Sequence, residues 1–460
     1  MIFFVLLSFL PFLSAFLLNL SLSWQRCLLL FPVTLLFIHL STGWRWQLVP
    51  AYIVVFGLIL FGLWATFPVA SKLITLPQWI SVRWAIAIKV IFSALLISAA
   101  VFLTWAFPEI DFPTPTGPYA VGTTLETTQN SNFRLWYPAA EQQQPAATAY
   151  TYLEGIQVPG LPKFIYSQLQ GKKTAAFVDI PMASNPATPR QKGHPVIIYD
   201  HGANSFRDDN TFRLMELASH GFVVAAIAHP RPFENYNIST QMAQDPALFN
   251  ERLASLVVPE RVKDVHLTVQ QLNRLNAEEG RFEAQLNLDS LGLLGYSLGG
   301  SVLSEYCLED RHCTAVVNLD GGSFGQARQG VPAAFLQLSQ SVALPPEPIE
   351  NPKSLLEKTG AYYRQEVSDL LRHTQATHPT YWLQVKGSGH AAFTDLVHWT
   401  PVRAGFLKML MGQGDPSEIA SVINNLTNVF FSEHLRFESR SESRLETAIQ
   451  QHSELLKMLE

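Results

Sequence analysis

Hydrophobic residues follow two different patterns along this chain, and the change falls near residue 107. Upstream, apolar stretches cover residues 1–20, about 27–40, 48–70 and 84–107, with Trp44, Trp46, Trp84 and Trp105 near their ends. A helix rises about 1.5 Å per residue, so some 20 uncharged residues cross a hydrocarbon core of about 30 Å. Tryptophans gather at the two interfaces of such a core. Residues 1–107 are therefore predicted to form a membrane region of about four transmembrane helices, the second of them short. No Lys or Arg precedes Arg26, so residues 1–20 lack the basic start of a cleaved signal peptide.

Downstream, residues 108–193 are rich in Pro, Gln, Ala and Thr, with strand-like islands at 133–137 and 174–180. They read as an irregular lead-in carrying the first strands of a larger domain. Over residues 194–435 short apolar, β-branched runs lie at 195–199, 222–228, 291–294, 314–319, 333–338 and 381–385. Segments of helical period lie between or after them, at 208–220, 259–279, 298–308, 351–373 and 391–411. Runs that are apolar at consecutive positions suit strands buried on both faces. Their alternation with helices predicts an α/β fold, a mostly parallel sheet with helices on both faces, preceded by the membrane region. Residues 436–460 are charged and predict a solvated C-terminal helix.

Composition sharpens the division. Charged residues make up 15% of the chain against a usual share of about 25%. Residues 1–107 hold five basic side chains (Arg26, Arg45, Lys72, Arg83, Lys89) and no acid, which leaves 27 basic and 37 acidic groups beyond them, a formal charge of −10. An acidic domain does not suit nucleic acid as a partner. Lys72 and Arg83 share the third loop; placing it on the cytoplasmic side, with Arg26, predicts a multi-pass protein of the cell membrane. Its large domain then faces the periplasm or the exterior, with Arg45 on the unfavoured side. Cys27 lies in the membrane region. Cys307 and Cys313 either bridge, as an exported domain permits, or pack as two small thiols.

The chemistry is narrowed first by what is missing. No Gly-x-Gly-x-x-Gly follows the first strand, and there is no Walker loop and no His-Glu-x-x-His, so neither a cofactor nor a metal is expected. Gly295-Tyr296-Ser297-Leu298-Gly299 follows directly on the run 291–294 and precedes a helical segment. A serine on a sharp strand-to-helix turn needs neighbours without Cβ, here Gly295 and Gly299, if its hydroxyl is to stand clear above the sheet. That hydroxyl becomes a nucleophile only when a base within hydrogen-bond reach takes its proton and an acid orients the base. The run 314–319 ends in Asp320-Gly321-Gly322, which makes Asp320 the expected acid, with Glu347 and Asp395 as alternatives. The run 381–385 leads through Lys386-Gly387-Ser388-Gly389 to His390, the expected base. Two backbone donors must hold the oxyanion: the amide of Leu298, and that of Ala203 in the loop Asp200-His201-Gly202-Ala203. His201 is expected to fix that loop.

These segments together resemble a family. Asp200-His201-Gly202-Ala203, the stretch 217–226 (Leu-Ala-Ser-His-Gly-Phe-Val-Val-Ala-Ala), Gly295 to Gly300, Asn318-Leu319-Asp320-Gly321, Lys386 to His390, and Arg134-Leu135-Trp136-Tyr137-Pro138 are similar to the plasma-type platelet-activating factor acetylhydrolases and related predicted dienelactone hydrolases. The resemblance covers about residues 120–435. It implies an α/β-hydrolase whose acid follows the sixth strand, and a calcium-independent serine esterase or lipase preferring short or oxidised acyl chains. Tyr296 stands where the family often has His. The expected function is thus a membrane-anchored serine ester hydrolase, acetylhydrolase or phospholipase A2-like, acting on a lipid or short-chain ester. A carboxylesterase, a lactone or peptide hydrolase, and a catalytically silent membrane-tethered binding domain are the alternatives. Residues 232–256, with Phe233, Tyr236, Met242 and Phe249, are the expected lid or acyl-pocket wall. The oligomeric state stays open.

Overall fold

The computed structural model describes residues 45–66, 82–110, 112–140, 147–184, 193–236, 238, 245–278, 280–344, 347–349, 351–436 and 443–459. The chain divides into two compact units, Met1–Glu109 and Ile110–Glu460.

In the first unit a 3-10 turn, Trp46–Leu48, leads into α1 (Val49–Thr66), and α2 (Val82–Ala106) follows. Leu48, Ala51 and Ala100 form a small buried contact with Tyr52 packed on it. Gln47 donates from Nε2 to the carbonyl of Phe107 at 3.0 Å. The expected spans at 1–20 and 27–40 lie outside the described residues. Those at 48–70 and 84–107 coincide with α1 and α2, but among the described residues no helix is long and apolar enough to cross a membrane. Ile53, Phe56, Ile91, Leu95 and Phe102 nevertheless turn apolar side chains outward.

The second unit is built on eleven strands: β1 (Ala120–Thr127), β2 (Asn132–Ala139), β3 (Ala149–Thr151), β4 (Lys173–Val178), β5 (His194–Asp200), β6 (Val223–Ala228), β7 (Leu286–Tyr296), β8 (Cys313–Leu319), β9 (Ala334–Gln340), β10 (Thr380–Val385) and β11 (Leu456–Met458). Their order across the sheet is β11-β10-β9-β8-β7-β5-β6-β2-β1-β4-β3. From β6 to β10 the pairing is parallel throughout, and β2 and β11 join this block antiparallel. The six apolar runs of the sequence are the six parallel strands. The α-helices of seven or more described residues are α3 (Thr211–Ser219), α4 (Pro246–Arg252), α5 (Val258–Ala277), α6 (Leu298–Glu309), α7 (Leu355–Gln375), α8 (Gly405–Met411), α9 (Pro416–Leu435) and α10 (Arg444–Gln451).

Side chains alternate across a strand, so β5 feeds two cores. Ile197 and Tyr199 pack with Leu214 and Met215 of α3 and with Ile423, Leu426 and Phe430 of α9. Val196 and Ile198 pack with Val262 and Val265 of α5, Val302 of α6 and Val367 and Leu370 of α7. Helices therefore cover both faces, as expected.

Several local expectations are corrected. The lead-in region 108–193 is less irregular than its composition, because β1 to β4 lie in it. The helix expected at 391–411 breaks into two 3-10 turns, His390–Phe393 and Asp395–His398, before α8. Pro401 has no N–H to give and disfavours helical backbone at Thr400. α9 starts instead where Asp415 accepts from the amides of Ser417 and Glu418, with Pro416 in the first turn. The helix expected from residue 208 begins at Thr211, because the side chains before it serve loop contacts: Asp208 pairs with Arg207 at 2.8 Å, and Asp209 accepts from Tyr199 and Ser205. Residues 436–460 hold more than a helix, since α10 buries Leu445 and Ala448 and β11 then pairs with β10. Cys307 and Cys313 form a disulfide, with Cα atoms 5.3 Å apart.

Candidate active site

Three strand ends meet above the C-terminal edge of the parallel block, where open α/β sheets place their ligands. β7 ends at Tyr296 and α6 begins at Leu298, so Ser297 alone makes the turn. Its φ of 53° and ψ of −119° are unusual for a residue with a Cβ and cost about 1–3 kcal/mol. The glycines around it explain how the turn closes. A Cβ at Gly295 would meet the backbone of Gly300, and one at Gly299 would meet the carbonyl of Asp200. A Cβ at Gly300 would displace the carboxamide of Asn318, which staples the neighbouring turn through its bond from the Gly321 amide at 2.9 Å. The serine turn and the turn after β8 thus interlock.

That second turn carries Asp320, also at positive φ (55°). Its own amide donates to the Leu338 carbonyl at 2.7 Å, and its Oδ1 accepts from the Gln340 amide at 2.8 Å. Oδ2 faces His390 Nδ1 at 2.6 Å, and His390 Nε2 lies 3.0 Å from Ser297 Oγ. The loop after β10 holds His390 through backbone contacts, since the Ser388 carbonyl accepts from the Ser341 amide at 3.0 Å. Tyr296 adds a hydroxyl bond to the His390 carbonyl at 3.3 Å, with the two rings 5.1 Å apart. Asp320 is 2% exposed at its side chain and His390 is 36% exposed, so the base stands at the mouth of the site and its partner beneath it.

The two alternative acids are elsewhere. Glu347 is exposed and paired with Lys457 at 2.9 Å. Asp395 is buried beside α3, accepting from Tyr152 at 3.0 Å and from the Phe212 amide at 3.3 Å. Burial holds its carboxyl well above the usual range.

The loop after β5 lies against the serine. A Cβ at Gly202 would come within 3.1 Å of Ser297 Cβ, which brings Gly202 and the adjoining Ala203 to the site, and Leu298 opens α6 beside it. Under this loop is a buried polar group that sequence reasoning missed. Asp200 Oδ1 meets His229 Nε2 at 2.9 Å and Arg261 Nη1 at 3.3 Å, and His229 Nδ1 meets Asp264 at 2.8 Å. Burial alone would raise the Asp200 carboxyl; His229 and Arg261 outweigh it and hold it below its usual range. Gln340 and His229 carry no motif of their own. Only the strand register could have found them.

A cavity of about 250 Å³ opens at Ser297, Asp320 and His390, walled by Phe249, Phe324, Leu344 and Tyr363 among others. Of the expected lid, α4 contributes Pro246, Phe249 and Asn250 to this wall. Phe233 is buried in the core and Tyr236 bonds Glu260 at 2.5 Å, while Met242 lies outside the described residues. Asn250 also donates to Glu366 of α7 at 2.8 Å, at a second recess of about 540 Å³ that shares Asn250, Phe324 and Tyr362 with the first. Burial pushes the Glu366 carboxyl up to about 8, against the opposing pull of Arg328 and Asn250. Among the described residues no group of three or more His, Cys, Asp or Glu is placed to hold a metal ion.

Comparison with known proteins finds similarity to one family. The family model described as platelet-activating factor acetylhydrolase, isoform II, matches residues 104–287. Platelet-activating factor acetylhydrolase of Cavia porcellus is 24% identical over 370 residues, 72% of this chain and 80% of its own length. The Canis lupus familiaris protein of the same name is 22% identical, over 70% of this chain and 77% of its length. That of Gallus gallus is 23% identical, over 70% and 83%. Among solved structures, a ferulic acid esterase from Streptomyces cinnamoneus superposes with a TM-score of 0.52 at 22% identity, covering 77% of this chain and all of that one. The resemblance read from the sequence is borne out, and the α/β fold with its mostly parallel sheet is shared with that solved structure.

Proposed function

We propose that this chain is a serine ester hydrolase of the acetylhydrolase type. The observation that carries the reading is the hydrogen-bond chain from Ser297 Oγ through His390 to Asp320, at 3.0 and 2.6 Å. In it, His390 Nε2 takes the hydroxyl proton as Ser297 Oγ attacks the ester carbonyl, and the Asp320 carboxylate steadies the imidazolium through Nδ1–H. The amides of Ala203 and Leu298 hold the oxyanion. His390 then gives its proton to the departing alcohol oxygen, and water, activated by the same imidazole, cleaves the acyl-enzyme. No cofactor enters the sequence of steps.

The substrate in this reading is an ester of a short or oxidised acyl chain, lipid-borne as in the acetylhydrolase relatives. The small apolar cavity beside Ser297 supports a short acyl group. We further propose that residues 1–107 hold the protein at the cell membrane, with the hydrolase unit on the periplasmic or outer side. The support is the uncharged run 1–20, the outward apolar side chains of α1 and α2, and the Cys307–Cys313 bridge, which suits an oxidising compartment.

Hydrolysis of p-nitrophenyl esters of rising acyl length by the full-length protein, with Ser297→Ala alongside, tests the reading. Turnover of the short esters that disappears in the variant is the expected result. Equal turnover by both proteins overturns the assignment of Ser297. A folded wild-type protein that neither turns over nor reacts with a fluorophosphonate would make this a binding domain.

A further inference from the structure

The Gly202–Ala203 peptide is gripped from below by two side chains outside the triad. Its carbonyl oxygen, on Gly202, accepts from His201 Nδ1 at 2.8 Å and more weakly from Arg261 Nη2 at 3.4 Å. Arg261 Nη1 also donates to the His201 carbonyl at 2.7 Å. Both side chains are buried, at 5% and 4% exposure, so water does not compete for these bonds. Every peptide bond of the described chain is trans, and in a trans peptide the C=O and N–H point to opposite edges of one plane. Holding the Gly202 carbonyl toward α5 therefore leaves the Ala203 N–H on the far edge. Gly202, meanwhile, rests against Ser297.

We propose that Arg261 and His201 are positioning residues that clamp this peptide, aiming the Ala203 N–H at the developing oxyanion and strengthening it as a donor by polarising its carbonyl. The inference rests on the serine hydrolase reading. Asp200 has a place in it too: its contact with Arg261 Nη1 at 3.3 Å fixes the guanidinium between the two carbonyls. The bond from His201 requires the proton on Nδ1, and it is compatible with a neutral ring. Burial, with the adjacent Arg261 and His229, holds His201 well below the usual histidine range. An oxyanion donor fixed in advance costs no reorganisation at the moment of reaction, which is why such groups act on the chemical step rather than on substrate binding.

The test compares full-length wild type, His201→Phe and Arg261→Lys. The first variant removes the Nδ1 donor and leaves the Asp200–Arg261 pair intact; the second keeps the charge and loses the two-carbonyl grip. Measured are kcat and KM for p-nitrophenyl acetate, the inhibition constant of a trifluoromethyl ketone, whose adduct carries the oxyanion, and Tm. The clamp predicts kcat lower by about 10-fold or more in each folded variant. KM should stay within about twofold, and the ketone should weaken in parallel with kcat/KM. Unchanged kcat in folded variants overturns it, as does a KM that rises while kcat and ketone binding hold. Should wild type itself show no turnover and no fluorophosphonate labelling, the hydrolase reading fails and the clamp with it. Labelled, active wild type with unaffected variants removes the clamp alone.

Discussion

The amide of Gln340, on the strand after next from the serine, donates to Asp320 Oδ1 at 2.8 Å, while Oδ2 faces His390. One carboxylate thus has one oxygen fixed by the sheet and the other left for the imidazole. Asp320→Asn keeps an acceptor and tolerates positive φ, but it favours the wrong imidazole tautomer. The expected outcome is a kcat lower by about 10⁴-fold with Tm nearly unchanged, read from ester hydrolysis and thermal melts.

Gly299 faces the backbone carbonyl of Asp200, which cannot swing aside as a side chain could. Gly299→Ala is expected to destabilise the hydrolase unit by about 2–3 kcal/mol, measured by urea denaturation. Wild-type stability would mean that the elbow and β5 are less closely joined than described.

Glu366 lines the second recess, and burial pushes its carboxyl up to about 8. An unfolded glutamate ionises near about 4.3, so between roughly pH 4 and 8 the folded state binds the extra proton. Stability contributed by this group falls as pH rises through that window, with a slope of at most about 1.4 kcal/mol per pH unit. Asp209, pushed up to about 7 by burial, acts in the same sense. The difference between wild type and Glu366→Gln isolates Glu366: denaturation midpoints of the variant should fall less steeply from pH 5 to 8.

Phe249 of α4 walls the cavity at Ser297. Phe249→Ala should lengthen the acyl chain that is best cleaved, raising kcat/KM for hexanoyl relative to acetyl esters several-fold. An unchanged ratio would place the acyl group elsewhere.

The Cys307–Cys313 bridge closes a short loop between α6 and β8. By loop length it restrains the unfolded chain by about 2 kcal/mol. The Cys307→Ala, Cys313→Ala double variant should lose about that much in denaturant titrations. Activity should be little changed, because Cys307 lies at the opposite end of α6 from Ser297, about 15 Å along the helix.

The six parallel strands were legible because burial on both faces leaves unbroken apolar runs such as Val196–Tyr199. β1, β3 and β11 were not. β1 is Ala-Val-Gly-Thr-Thr-Leu-Glu-Thr, polar and glycine-bearing, and its pairing with β2 supplies what its composition withholds. In the site, Ser297 announced itself by its glycine frame, and Asp320 and His390 by their places after apolar runs. Gln340, Arg261 and His229 had no such signal. Their contacts exist only once the strands are in register, as when Gln337 and Asn318 pair across β8 and β9 and bring Gln340 over the turn. The break after Phe393 is hidden in the sequence because the helical period continues through Pro401.

Both margins of the sheet are occupied by strands of three residues, β3 at one side and β11 at the other. An unpaired strand offers a ladder of free amides and carbonyls on which a neighbouring chain can build. Among the described residues that ladder is only three residues long at each side, and the six-residue strands β10 and β4 are paired along part of their length beneath it. A concentrated solution of this protein thus meets few places to start edge-to-edge growth, even though most of its sheet is apolar.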